Sequence, residues 1–226
     1  MLKKYGVWIL FLITGILPII LVFSYVLISG DNFLDGDFFK SPWFALIIVV
    51  SHGTSFLILL YFLKKLNTSL NDIGWKISGI KAFLGEIGIG FILSLIIYTF
   101  KELVLDSLSA ILHGNSPTFY SFFNFSFEAD EAALMAVAFL FPFVEESIFR
   151  GFPYQQWKNK WSLWKIILIT SLVFGLMHSI GGERDFTSAI NTGIIGALYF
   201  LIFRWRKNLY CPAATHSFYN LWIILT

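Results

Sequence analysis

The sequence predicts an all-α fold, a polytopic bundle of about seven membrane-spanning helices, and two observations carry that expectation. The first is composition. Of 226 residues, 57% are hydrophobic and only 13% charged, with a mean hydropathy of +0.75, whereas a soluble domain carries roughly a quarter charged residues. The second is the spacing of apolar runs. Windows near 7–29, 43–63, 82–100, 132–157, 163–180, 186–203 and 209–226 approach or exceed the roughly 20 apolar residues that cross a bilayer. Residues 1–226 are thus expected to form a single membrane domain in contact with lipid, with three helices before residue 100 and four after residue 131.

The first run follows Lys3 and Lys4, as a secretory signal would. Its apolar stretch exceeds the roughly 7–15 residues of a signal core and no small-residue cleavage site follows, so it is read as a membrane helix. Loop charges set the expected orientation. With a cytoplasmic N-terminus, Lys3, Lys4, Lys64, Lys65, Lys76, Lys81, Lys158, Lys160, Lys165, Arg204, Arg206 and Lys207 fall inside, and Lys40, Lys101 and Arg184 outside. That bias predicts an inside N-terminus and, with seven spans, an outside C-terminus. Trp8, Trp75, Trp157, Trp161, Trp164 and Trp205 then mark the inner boundary and Trp43 and Trp222 the outer one. The loops are short, and a bacterial cytoplasmic membrane is the expected location.

Residues 101–130 contain no apolar run long enough to cross and are expected to lie on the outer surface. Leu103, Val104, Leu108, Ile111 and Leu112 recur at helical spacing, and Gly114 to Pro117 break the pattern before a Phe-rich stretch at 119–127. Two function classes are disfavoured at once. The net charge of +2, spread over short loops, gives no surface for nucleic acid. The lone Cys211 permits no intrachain disulfide, Cys-based zinc site or redox pair.

Chemistry concentrates in the later runs. Glu145 and Glu146, followed by Arg150, then Phe174 and His178, then His216 and Asn220, all lie in stretches too apolar for water. A charge at mid-bilayer costs roughly 3 kcal/mol on insertion scales, so such residues mark function by default. Glu146 and Arg150 are spaced i,i+4 with the acid first, the favourable order for a helical ion pair. Glu145 projects about 100° away and is left for another partner. Counted from a turn near Lys160, Glu145 and His178 sit at heights of about 22 and 27 Å, close enough to meet across a hairpin. His216 and Asn220, also four apart, share one face of the last helix.

A carboxylate, two histidines and an amide suit amide hydrolysis. Glu145 would take a proton from water, His178 would orient that water, and His216 and Asn220 would donate to the oxyanion. The same Glu145, His178 and His216 also match zinc preferences, so either no cofactor or one divalent metal such as zinc fits the residues alone. A buried ion-pair network that only fixes helix register is the bland alternative. His52, alone in the second run, is read as an interhelical hydrogen-bonding residue, and His113 as solvated. Glu86 is placed near the inner headgroups, and Asn191, Gly193 and Gly196 are assigned to close helix packing.

In order and spacing, Glu145-Glu146-x-x-x-Arg150, Phe174-x-x-x-His178 and His216-x-x-x-Asn220 resemble the CAAX protease and bacteriocin-processing (CPBP, or Abi) family. The resemblance covers residues 132–226 and implies a catalytic core there; the family it points to includes the type II CAAX prenyl endopeptidase. It implies that Glu145 and His178 activate water, that His216 and Asn220 form the oxyanion hole, and that Glu146, Arg150 and Phe174 support the site. The implied partner is a membrane-associated peptide or protein substrate. A glutamate mechanism and a metalloprotease mechanism both remain open. The rival from another class is a non-catalytic immunity or scaffold protein that keeps the family fold.

Overall fold

A computed structural model describes residues 2–29, 42–113, 132–179 and 186–225, and every regular element among them is helical. Among the described residues, five helices are long and apolar enough to cross a membrane: Lys4–Ser29, Pro42–Lys65, Ile80–Leu112, Ala132–Trp157 and Phe186–Arg206. The protein is an all-α, multi-pass membrane bundle. Its elements are α1 (Leu2–Ser29), α2 (Pro42–Lys65), the single turn α3 (Leu70–Ile73), α4 (Ile80–Phe100) and α5 (Ser107–Leu112). After them come α6 (Ala132–Leu140), α7 (Pro142–Glu146), α8 (Phe152–Trp157), α9 (Leu163–Ser179), α10 (Phe186–Arg206) and α11 (Tyr210–Leu225).

The sequence expectation of seven crossing helices is corrected to five of crossing length. α9 and α11 hold 17 and 16 residues, about 25 Å at 1.5 Å per residue, short of the roughly 30 Å hydrocarbon core. The cause is local for α11. Asn208 Oδ1 accepts from the backbone N–H groups of Tyr210 and Cys211 at 3.0 and 3.2 Å, so an N-terminal cap starts that helix late.

The expected break at residue 101 is also absent. α4 runs through a π-helical turn, Lys101–Asp106, straight into α5. Lys101 does not end the helix because Glu102 and Asp106 neutralise it at 2.7 and 2.8 Å. The rest of the expected outer segment, including the Phe-rich stretch at 119–127, lies outside the described residues. Glu86 does more than sit a turn above Lys81. It is buried, and Arg206 grips it with two hydrogen bonds of 3.0 and 2.8 Å, tying α4 to the end of α10.

Packing brings the later helices together around the polar residues. α9 lies along α10 and α11 along α4, and glycine makes the first contact possible. A Cβ on Gly175 would stand 2.2 Å from the Ala189 carbonyl oxygen and 2.9 Å from the Gly193 nitrogen, a close approach typical of membrane helices. The main apolar core joins Leu10 and Phe11 of α1, Leu59 of α2, Ile148, Phe149 and Phe152, and Phe174 of α9. Helices α1 and α2 therefore pack directly onto the polypeptide that carries the glutamates.

Candidate active site

The span holding the glutamates is interrupted at Phe141 and widened once into a π-helical turn. Phe141 ends α6, Pro142 opens α7, and a π-helical turn follows at Ser147–Gly151. Proline has no N–H, so the Ala138 carbonyl loses its normal helical donor. Asn220 Nδ2 donates to that carbonyl at 3.1 Å, and Ser217 Oγ donates to the neighbouring Phe139 carbonyl at 2.6 Å. One face of α11 thus latches onto the break just before the glutamate pair. π-helical turns of this kind are frequent at functional sites. Here Ser147 Oγ accepts from Trp75 Nε1 at 2.7 Å and donates to the Phe143 carbonyl at 2.8 Å.

Glu146 is sealed from solvent, with Oε1 3.0 Å from Arg150 Nη1 and 3.0 Å from His216 Nδ1. The Arg150 contact is an ion pair whose N–H points off the line to the oxygen, since neither Nη1 nor Glu146 Oε2 makes a directed hydrogen bond. Nη2 instead donates to the Gly196 carbonyl at 3.0 Å. The guanidinium lies 4.3 Å from the Phe174 ring centre, so a cation–π contact covers its face. The expected helical pair is present, and it is more crowded than its spacing alone indicates.

Glu145 looks elsewhere, as its angular offset predicts. Oε1 receives a hydrogen bond from His52 Nε2 at 2.8 Å. Oε2 is buried, lacks a direct hydrogen-bond partner among the described residues, and lies 3.7 Å from His216 Nε2 and 3.9 Å from His178 Nε2. The orientation of both rings follows from their other nitrogens. A carbonyl and a carboxylate only accept, so His178 Nδ1 donates to Phe174 O at 2.9 Å and His216 Nδ1 to Glu146 Oε1 at 3.0 Å. Each ring therefore presents Nε2 to Glu145. His178 is the most exposed of the three, its side chain 31% exposed against 4% for His216 and 12% for Glu145.

The structure brings Glu145, Glu146, Arg150, Phe174, His178 and His216 into one cluster. Phe174 is its hub, with its ring 4.2 Å from His178 and 5.7 Å from His216. Asn220 lies one helical turn beyond His216, with an amide proton committed to Ala138. Sequence reasoning missed two members. Tyr199 stacks on His216 at 4.6 Å, and nothing in its apolar surroundings singles it out. His52 is the interhelical hydrogen-bonding residue the sequence predicts, and its partner is Glu145. The usable signal was an ionisable residue alone inside an apolar run.

Zinc does not fit these side chains as they are placed. Among the described residues no three His, Cys, Asp or Glu groups could hold a metal ion. The gaps of 3.7 and 3.9 Å from Glu145 to the histidines exceed the roughly 3.4 Å that separates tetrahedral ligands about 2.1 Å from zinc. Glu145 Oε1 and Glu146 Oε1 are meanwhile engaged by His52 and Arg150.

Residues 129–222, about 40% of the chain, match the family described as type II CAAX prenyl endopeptidase Rce1-like. This segment is similar to that family and contains all three motifs. No curated protein and no solved structure matches the chain.

Proposed function

We propose that the protein is an intramembrane endopeptidase that hydrolyses a peptide bond in a membrane-associated substrate, with Glu145 as general base and no step through a metal. One observation supports this above the rest: Glu145 Oε2 is buried facing the Nε2 atoms of His178 and His216 at 3.9 and 3.7 Å. Those separations are too long for direct hydrogen bonds and suit a single bridging water oxygen.

The water gives one proton to Glu145 Oε2, and its oxygen bonds to the substrate carbonyl carbon while His178 Nε2 accepts the second water proton in a hydrogen bond. The tetrahedral oxyanion receives hydrogen bonds from Asn220, through its second amide N–H, and from His216 Nε2. The C–N bond then breaks, and the proton held by Glu145 passes to the leaving amine. A positioned base of this kind contributes about 10²–10⁴-fold. Glu146 and Arg150 hold His216 and the helix turn in place. The half-exposed His178 marks the side from which the peptide enters.

The same reading retains a cytoplasmic N-terminus and treats α9 and α11 as short crossing helices enclosed by the bundle. It also places the protein in a bacterial cytoplasmic membrane. Comparing the membrane peptides of cells that make the wild type with those that make Glu145→Gln tests the activity. A peptide that accumulates only with the variant, and that purified wild type cuts, is the expected result. An unchanged peptide profile favours the scaffold or immunity role. Exhaustive dialysis against a chelator should leave cleavage intact, and zinc-restored activity would overturn the metal-free mechanism.

A further inference from the structure

We infer that His52, on α2 and outside the 129–222 segment, is the positioning residue for Glu145; the inference rests on the hydrolase reading above. A carboxylate has two equivalent oxygens and can swing about its side-chain bonds. A base needs one of them held toward the water. Here a single contact makes that distinction. His52 Nε2 donates to Oε1 at 2.8 Å, the shortest polar contact made by Glu145, and leaves Oε2 directed at His178 and His216.

The histidine is itself fixed. Its Nδ1 donates to the Ile48 carbonyl one turn earlier on α2 at 3.1 Å, because a carbonyl only accepts, and lies 3.5 Å from Ser51 Oγ. Its ring packs 4.8 Å from Phe141, the residue at which the glutamate-bearing span breaks. His52 is 9% exposed, so water offers no easy substitute for the hydrogen bond. His52 sits on the far side of Glu145 Oε1 from the proposed water and reaches the reaction only through that carboxylate. It is a positioning residue and not a catalytic one. A consequence concerns architecture: the helices before residue 100 supply part of the site, and the three-motif segment is incomplete without them.

The full-length protein in detergent tests this with two variants and two readouts. His52→Leu removes the donor, while His52→Gln restores an amide N–H at about the position of Nε2. The Glu145 carboxylate stretch in infrared difference spectra, assigned by its loss in Glu145→Gln, should shift in His52→Leu and return in His52→Gln. With a fluorogenic prenylated CAAX-type peptide as probe, His52→Leu should lower kcat about 10–100-fold, the usual cost of losing an orienting partner, with KM unchanged. His52→Gln should recover most of that loss. An unmoved band overturns the inference, as does a moved band with unchanged kcat, and if wild type leaves the probe uncut the band alone decides. Turnover that survives in Glu145→Gln overturns the hydrolase reading instead.

Discussion

On the Glu146 side of its helix, the charged groups are closed off. Glu146 and Arg150 are at most 1% exposed, with a second cationic candidate, His216, at 3.0 Å and aromatic rings over the guanidinium. On the Glu145 side, one residue away, a carboxylate oxygen is fixed by His52 while the other faces two histidine nitrogens across gaps that water can fill. The same residue type thus serves two designs. Direct neutralisation and sealing give a rigid support, whereas the carboxylate oxygen left without a direct hydrogen bond is the one assigned to the proposed base. The difference arises because the 100° step between neighbouring helical residues points the two carboxylates at different helices.

The largest expected effect strikes the Glu145 side. Glu145→Gln should abolish cleavage in the proteomic and purified assays while the protein stays folded, because an amide cannot take the water proton. Full activity in that variant would erase the distinction between the two sides. The sealed side should respond in stability instead. Arg150→Ala leaves Glu146 buried without its ion-pair partner, a loss of about 3–5 kcal/mol in a dry site, and thermal unfolding in detergent should show it well below Glu145→Gln. Equal melting temperatures would mean that Arg150 is not the support proposed.

Asn220 sharpens the comparison, because it touches the helix break one turn beyond His216 on α11. Asn220→Ala should slow turnover about 10²–10³-fold if the amide serves the oxyanion. Adding Pro142→Ala returns a backbone N–H to the Ala138 carbonyl. Recovery of rate in the double variant assigns the loss to the latch between α11 and α6, and persistence assigns it to the oxyanion.

The smallest effect lies away from both sides, at the cap of α3. The Ser69 backbone and side-chain hydrogen bonds hold the Asp72 carboxyl below its ordinary value of 3.8. A lowered folded value means that its contribution is present above about 3.8 and fades as pH falls below it. The melting temperature of Asp72→Asn should lack that acid-side component.

By itself the sequence determined the class of the fold and the residue types gathered at the candidate site. Apolar runs must bury their backbone polar groups as helices in lipid, so helix positions follow from composition. The Glu146–Arg150 pair, the divergence of Glu145 and the shared face of His216 and Asn220 follow from 3.6 residues per turn, a local rule. Span counting was less secure, because the caps and continuations that set the ends of α11 and α4 depend on individual hydrogen bonds and ion pairs. Tertiary structure alone decided which groups meet across helices. Residue 52 and residue 145 are 93 positions apart, and no helical periodicity relates them. The carbonyl freed by Pro142 could be foreseen, but not that Asn220 would satisfy it, because the rotation and depth of one helix against another are fixed by packing. Contacts such as Gly175 against Ala189 and Phe11 stacked on Phe149 fix them.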